Sequence, residues 1–282
     1  MRLGKVRLGL VSDGVYWLDG AGLFGLMPKV EWQELAEPDE QNRIRVEQRC
    51  LLIETNKQRI LVDTGQGDKI SDRERAFMGL AGDQRLIGSL AALGVKPEEI
   101  DVVINTHLHG DHCGGNTTYD QNGDLAATFP RALYYVQRME LADAMFPNER
   151  TRAAYLSENY QPLEESGQLR TLWGDTRLTD EVRVAVTPGH TPAHQSVVIE
   201  SGEEMAIFLG DAAHWPLHIE QLGVVTAYDV QPMVTIETKR RLAHWAIENE
   251  VLLIFDHHPE IMAGYLHPTE RSDQFRLEPI EL

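Results

Sequence analysis

The stretch THLHGDHCGG places His107, His109, Asp111 and His112 within six consecutive positions. Neutral imidazoles and carboxylates are the donors that suit zinc and similar divalent ions, and a short loop at a strand end can aim several of them at one point. A single loop histidine is ordinarily solvated or hydrogen-bonded. Three histidines and an aspartate at this density, flanked by glycines, point instead to a metal site. Cys113 follows directly and reads as a small buried residue rather than a further ligand.

The apolar run from Asp101 to Asn105 leads into this loop and reads as a buried strand, preceded by a helix from Arg85 to Leu93 that stops at Gly94. Earlier, Val6 to Val11, Cys50 to Glu54 and Arg59 to Val62 are apolar runs bounded by turn residues and read as strands. Leu133 to Val136 reads as another strand, and the polar stretch from Gln137 to Asn159, interrupted at Pro147, as two helices. Val182 to Thr187, Gln195 to Glu200 and Met205 to Leu209 suggest a second sheet. Pro232 opens a long helix through Asn249, followed by the apolar run Val251 to Phe255. Strands alternating with helices in both halves predict one α/β domain over residues 1–282. Its expected form is an αββα sandwich, two mixed sheets packed face to face with helices outside.

With 42% hydrophobic and 25% charged residues in 282, a packed globular core is expected. The formal charge of -18 repels phosphate backbones, and no basic cluster is longer than Lys239, Arg240 and Arg241, so nucleic acid is not expected as a partner. The N-terminal MRLGKVRLGLVSDGV lacks the apolar stretch and cleavage site of a signal peptide, and no run is long enough to span a bilayer. A cytoplasmic location with no membrane partner is the expectation. Cys50 and Cys113 are too few for a disulfide framework.

The pattern His-x-His-x-Asp-His after a strand resembles the signature of the metallo-β-lactamase superfamily. That resemblance implies further ligands in a fixed order. A His at the end of a later strand corresponds to His190 in TPGHTPAHQS, and an Asp that bridges two ions corresponds to Asp211 in FLGD. A His after a C-terminal strand corresponds to His257 or His258 in LLIFDHHPE, and the preceding Phe and acidic residue select His257. By this carry-over His107, His109 and His190 hold one divalent ion, Asp111, His112 and His257 the other, and Asp211 touches both. Zinc is the expected metal, although the same donors accept Mn, Fe and Co. Asp63 in LVDTG matches a position whose carboxylate orients the metal loop; alternatively it is a turn aspartate ending a strand. His194 reads as a supporting or strand-start residue, and His244 and His267 lie outside the ligand pattern.

Beyond the metal motifs, the segments WLDGAGLFGLMPKVEW, FPRALYYVQRMELADA and AYDVQPMVTIETKRRLAHWA are similar to the quorum-quenching lactonases, in particular the YtnP-like group. The resemblance implies a hydrolase that opens acyl-homoserine or related lactones. Its nucleophile would be a hydroxide shared by the two ions, with Asp111 carrying the proton to the leaving alkoxide. It also implies an early apolar loop beside the acyl chain, containing Trp17, Leu23, Phe24, Leu26 and Met27, with Phe24 and Met27 as substrate contacts; the same residues could equally pack as ordinary core. Classical homoserine lactonases carry a Tyr shortly after the bridging Asp, where this chain has His214. His214, His218 and Tyr228 are therefore the other candidate substrate contacts. This departure keeps a phosphotriesterase or arylesterase of the methyl parathion hydrolase type as the alternative. A homodimer is common among the look-alikes.

Overall fold

The strand that feeds the metal-motif loop, Val102–Ile104, is buried on both faces: Val102 and Ile104 enter one hydrophobic cluster and Val103 another. Successive side chains of a strand point to opposite faces, so a continuous apolar run marks a sheet covered on both sides. The same alternation recurs in Ile60, Leu61 and Val62, in Val197, Val198 and Ile199, and in Leu252, Leu253 and Ile254. Together they define three stacked cores separated by two sheets.

The computed structural model describes residues 1–80 and 85–281. The first sheet contains β1 (Arg2–Leu3), β2 (Val6–Asp19), β3 (Arg43–Glu54), β4 (Arg59–Val62) and β5 (Val102–Ile104) in that order. Two short strands, β6 (Thr117–Tyr119) and β7 (Leu125–Ala127), pair with each other, and β8 (Leu133–Gln137) and β9 (Leu169–Leu172) then complete the sheet beyond β5. Pairing is antiparallel from β1 to β4 and parallel from β4 to β9. The second sheet keeps chain order: β10 (Thr176–Arg177), β11 (Val182–Val186), β12 (Gln195–Ser201), β13 (Glu204–Phe208), β14 (Leu252–Ile254), β15 (Ala263–Pro268) and β16 (Phe275–Ile280). Only β13 and β14 pair in parallel there.

The middle core joins the sheets, with Ile60, Val62 and Ile104 meeting Val197, Phe208 and Ile254. Helices Arg85–Ala92 and Arg138–Met145 cover the outer face of the first sheet through Leu86, Leu90 and Leu141. Helix Pro232–Glu248 covers the second through Leu242, Ala243 and Ala246. The expected αββα layering of two mixed sheets is therefore present. No helix among the described residues is long and apolar enough to cross a membrane.

Several elements differ from the sequence reading. Only one α-helix, Arg138–Met145, forms between Gln137 and Asn159, followed by a single 3-10 turn at Ser157–Asn159; after Pro147 the Asn148 side chain accepts from the backbone N–H groups of Arg150 and Thr151, which holds a turn in place of a second α-helix. β2 and β3 run well past the apolar segments that announced them. Their register shifts between Ser12 and Val15, where Gly14 takes a φ of 105°, and the extension beyond this bulge carries Tyr16 and Trp17 to the site.

The metal-motif loop is seated against the turn after β4 by direct backbone approach. A Cβ on Gly114 would stand 2.1 Å from the Gln66 carbonyl oxygen, and one on Gly115 would stand 2.2 Å from that of Thr64. This explains the paired glycines after Cys113. Gly115→Ala is expected to cost about 1–3 kcal/mol of unfolding free energy through overpacking and to reduce metal content, although Gly115 touches no ligand. Denaturant titration and elemental analysis of the variant check both.

Candidate metal centre

Each histidine-bearing segment leaves a strand end or precedes a strand start at one edge of the sandwich. β5 ends at Ile104 before His107, β11 at Val186 before His190, β13 at Phe208 before Asp211, and β14 at Ile254 before His257. Ligand sites of α/β sheets characteristically lie beyond the carboxyl ends of strands. The two sheets are tied together at this edge: Glu47 N–H donates to the His257 carbonyl, Arg49 N–H to that of Asp256, and Gln195 N–H to that of Thr106.

Asp63 fixes the motif loop. It is fully buried, sits at a φ of 59° that few non-glycine residues adopt, and accepts from Thr106 N–H at 2.7 Å and Thr106 Oγ1 at 2.8 Å. Its Oδ2 also lies 2.9 Å from His112 Nδ1. Of its two readings, this placement is the orienting carboxylate.

The structure brings six of the seven expected ligands into tight groups. His107, His109 and His190 form one, and His112, Asp211 and His257 form another together with Asp256. Asp211 links them: Oδ2 is 3.1 Å from His190 Nε2 and 3.9 Å from His107 Nε2, while Oδ1 is 3.1 Å from His257 Nε2 and 3.3 Å from His112 Nε2. Asp111 stands at the edge of the second group, with Oδ2 3.7 Å from His112 Nε2 and 3.3 Å from the Tyr16 hydroxyl.

These groups fit a pair of divalent ions. His109 Nδ1 faces His190 Nε2 at 3.0 Å and His112 Nε2 faces His257 Nε2 at 3.3 Å. Donors 2.0–2.1 Å from one tetrahedral ion stand about 3.3 Å apart. His107 Nε2 and Asp211 Oδ1 are buried without a hydrogen-bond partner among the described residues. The opposite ring nitrogens are already engaged, His107 with Thr106 Oγ1, His190 with Asp229, His112 with Asp63 and His257 with the Glu47 carbonyl. Such contacts fix the tautomer and ring angle of a ligating histidine.

Electrostatics divide the cluster. Burial pushes His109 down to about 3 and drives His107 well below the usual imidazole range, so both offer lone pairs. Burial also opposes charge on His257, but Asp256 and Asp211 outweigh it and hold that ring up at about 9. His112 and His190 are raised against the same burial, in both cases chiefly by Asp211. The metal-free cluster thus draws protons onto three rings, and a bound cation must displace them.

The remaining candidates separate clearly. His214 and Tyr228 line a cleft of about 760 Å³ whose floor is His109, Asp111, His190, Asp211 and His257. His214 Nε2 is 3.0 Å from Asp211 Oδ2. Phe24, Met27 and His218 do not line it. Phe24 is fully buried, stacked on Trp32 at 5.2 Å and edge-on to Trp215 at 5.7 Å, and Met27 packs against the same core. His218 is buried between Trp215 N–H and the Leu23 carbonyl, where it braces the segment expected as an early apolar loop beside the acyl chain. Residues 20–24 of that segment are helical, and Leu26 is fully exposed to solvent. Trp17, Ile70, Phe77, Met78 and Leu156 supply the apolar cleft wall instead. His194 supports the site, accepting Asp211 N–H on Nε2 at 3.1 Å. His258 faces away, its Nδ1 taken by Glu260 and Ile261 N–H. Cys113 is buried, with its thiol pushed up to about 12 by burial.

Three residues at the centre escaped the sequence reading. Asp229 carries no motif, Tyr16 reaches the site only because of the bulge in β2, and Asp256 was visible solely as the neighbour of His257.

Comparison with known proteins matches this architecture. Residues 44–244 match the family described as Metallo-beta-lactamase superfamily. An N-acyl homoserine lactonase of Bacillus cereus is 27% identical over 227 residues, covering 76% of this chain and 82% of that protein. The crystal structure of a probable metal-dependent hydrolase from Staphylococcus aureus superposes with a TM-score of 0.89 at 27% identity, covering 100% of this chain and 99% of that one. AidC, a dizinc quorum-quenching lactonase in complex with a product, shares the fold with a TM-score of 0.81 at 19% identity, covering 100% of this chain and 97% of that one. With its His-x-His-x-Asp-His loop, its two facing sheets and a family match across most of its length, the chain belongs to the metallo-beta-lactamase superfamily.

Proposed function

We propose that this protein is a dinuclear metal-dependent hydrolase that opens acyl-homoserine lactones or related lactones. The observation that carries the reading is the pair of histidine groups meeting at Asp211 on the floor of a half-apolar cleft, in a chain whose relatives are named N-acyl homoserine lactonases. His107, His109 and His190 would hold one ion and Asp111, His112 and His257 the other, with Asp211 shared. When bound, two divalent ions, zinc first with Mn, Fe or Co as alternatives, supply Lewis acidity and a water acidic enough to ionise near neutral pH.

In this reading Asp111 moves the proton. Its side chain opens to the cleft, and the Tyr16 hydroxyl donates to Oδ2, which leaves the other oxygen for the reaction. As the water oxygen bonds to the lactone carbonyl carbon, Asp111 takes the remaining water proton. It returns that proton to the ring oxygen when the C–O bond breaks, giving an open hydroxy acid. His214 and Tyr228 line the cleft and would be the donors to a substrate carbonyl; burial, pushing Tyr228 up to about 12, keeps it a neutral hydroxyl. The wall of Trp17, Ile70, Phe77, Met78 and Leu156 suits an acyl chain and takes over the part expected of Phe24 and Met27.

One observation favours a second reading. His214 occupies the neighbourhood in which classical homoserine lactonases carry a Tyr, and an imidazole there is compatible with a phosphotriester or aryl ester. A panel of acyl-homoserine lactones, γ- and δ-lactones and paraoxon with the metal-replete enzyme separates them. Lactone turnover is expected to exceed paraoxon turnover; the reverse order would make the protein a phosphotriesterase.

Asp111→Asn tests the proton route. The amide keeps an oxygen but cannot accept and return a proton, so lactone turnover is expected to fall about 100- to 10,000-fold. p-Nitrophenyl ester turnover, whose leaving phenolate needs no protonation, should fall far less. Equal losses at matched metal content would leave Asp111 outside the proton pathway.

A further inference from the structure

We infer that Asp256, which does not line the cleft, is an additional protein ligand of the second metal position. Asp256 is fully buried, and neither carboxylate oxygen has a hydrogen-bond partner among the described residues. A buried, unpaired carboxylate is costly unless a cation meets it. Among the described residues no side-chain cation meets this one by hydrogen bonding. The Arg49 guanidinium, held nearby, spends its donors on the carbonyls of His258 and Pro259. Oδ2 lies 3.7 Å from His257 Nε2, too far for a hydrogen bond, and that ring already uses Nδ1 on the Glu47 carbonyl. What the carboxylate does face is the donor group itself: one oxygen of Asp256 lies within 4.8 Å of donor atoms of His112, Asp211 and His257.

This inference rests on the dinuclear reading of the site and deepens it. The first position is held by three imidazoles and one oxygen of Asp211. The second is held by two imidazoles and by carboxylates of Asp111, Asp211 and Asp256, which makes it richer in oxygen and in negative charge. Oxygen-rich donor sets suit harder divalent ions such as Mn²⁺ and Fe²⁺, and imidazole-rich sets suit zinc. The two positions are therefore chemically unequal, and the second is the one that accepts a harder ion.

The test uses full-length protein stripped of metal, titrated with zinc and with manganese against a chromophoric chelator, and compares wild type with Asp256→Asn. Wild type should take up two ions. The variant should keep the first and bind the second at least about 10-fold more weakly, the lower end of what loss of a partner outside the ligand shell already costs. The metal-free variant should fold and melt close to metal-free wild type, because neither oxygen of Asp256 makes a hydrogen bond among the described residues. Unchanged second-ion affinity would overturn the inference. So would weakened binding accompanied by a lower melting temperature of the metal-free variant, which would make Asp256 a packing residue. If Asp256→Asn does not fold, Asp256→Ser replaces it, and failure of both to fold without metal likewise assigns Asp256 to structure. Wild type that takes up fewer than two ions would instead remove the dinuclear reading, and the inference with it.

Discussion

The carboxylate of Asp211 is the point on which this structure turns. It is almost completely buried, and its two oxygens lie 3.0–3.9 Å from ring nitrogens of His107, His112, His190, His214 and His257. A carboxylate in so dry a position must be met by positive charge, and the surrounding rings carry it only if they are protonated or share a cation. Those rings arrive on four separate segments drawn from both sheets. The fold's task at this edge is to bring four loop ends to one point and hold them there against mutual repulsion.

Ordinary backbone devices do the holding. Asp63 adopts a left-handed conformation and binds Thr106 and His112 together, so the loop cannot swing away from β4. Gly114 and Gly115 let the same loop lie directly against the Thr64–Gln66 backbone. Across the cluster, Thr106, Asp229, Asp63 and the Glu47 carbonyl each occupy the far nitrogen of one imidazole. Rings set this way are oriented before any ion arrives, which lowers the ordering cost of binding one.

Much of this was legible in the sequence where local chemistry determines structure. Arg59–Val62 forms the expected strand to the residue, and the helix expected from Arg85 ends at Ala92, beside the anticipated Gly94 stop. His107, His109 and His112 were findable because they stand together in one short loop, whereas His190, Asp211 and His257 came from the motif order that the superfamily resemblance implies. What the sequence concealed depends on distant partners. Phe24 looks like a cleft residue in a glycine-rich stretch, but Trp32 and Trp215 capture it into a core. Tyr16 reaches Asp111 beyond a bulge at which the buried Asp13 accepts from the N–H groups of Gly67 and Leu86, partners that come from other elements. Asp256 gains meaning from having no hydrogen-bond partner among the described residues, which no sequence pattern encodes.

The cleft above the two histidine groups combines one charged, histidine-rich floor with an apolar wall from β2 and the helix Asp72–Met78. His214 and Tyr228 line the cleft beside that wall, and the histidine and aspartate groups form its floor. The most direct test of the shared-carboxylate account is the metal content of purified Asp211→Ala, measured by elemental analysis beside wild type. Two ions per wild-type chain, and loss of both ions together with turnover in the variant, is the expected result. Retention of both ions with near-normal turnover would contradict it.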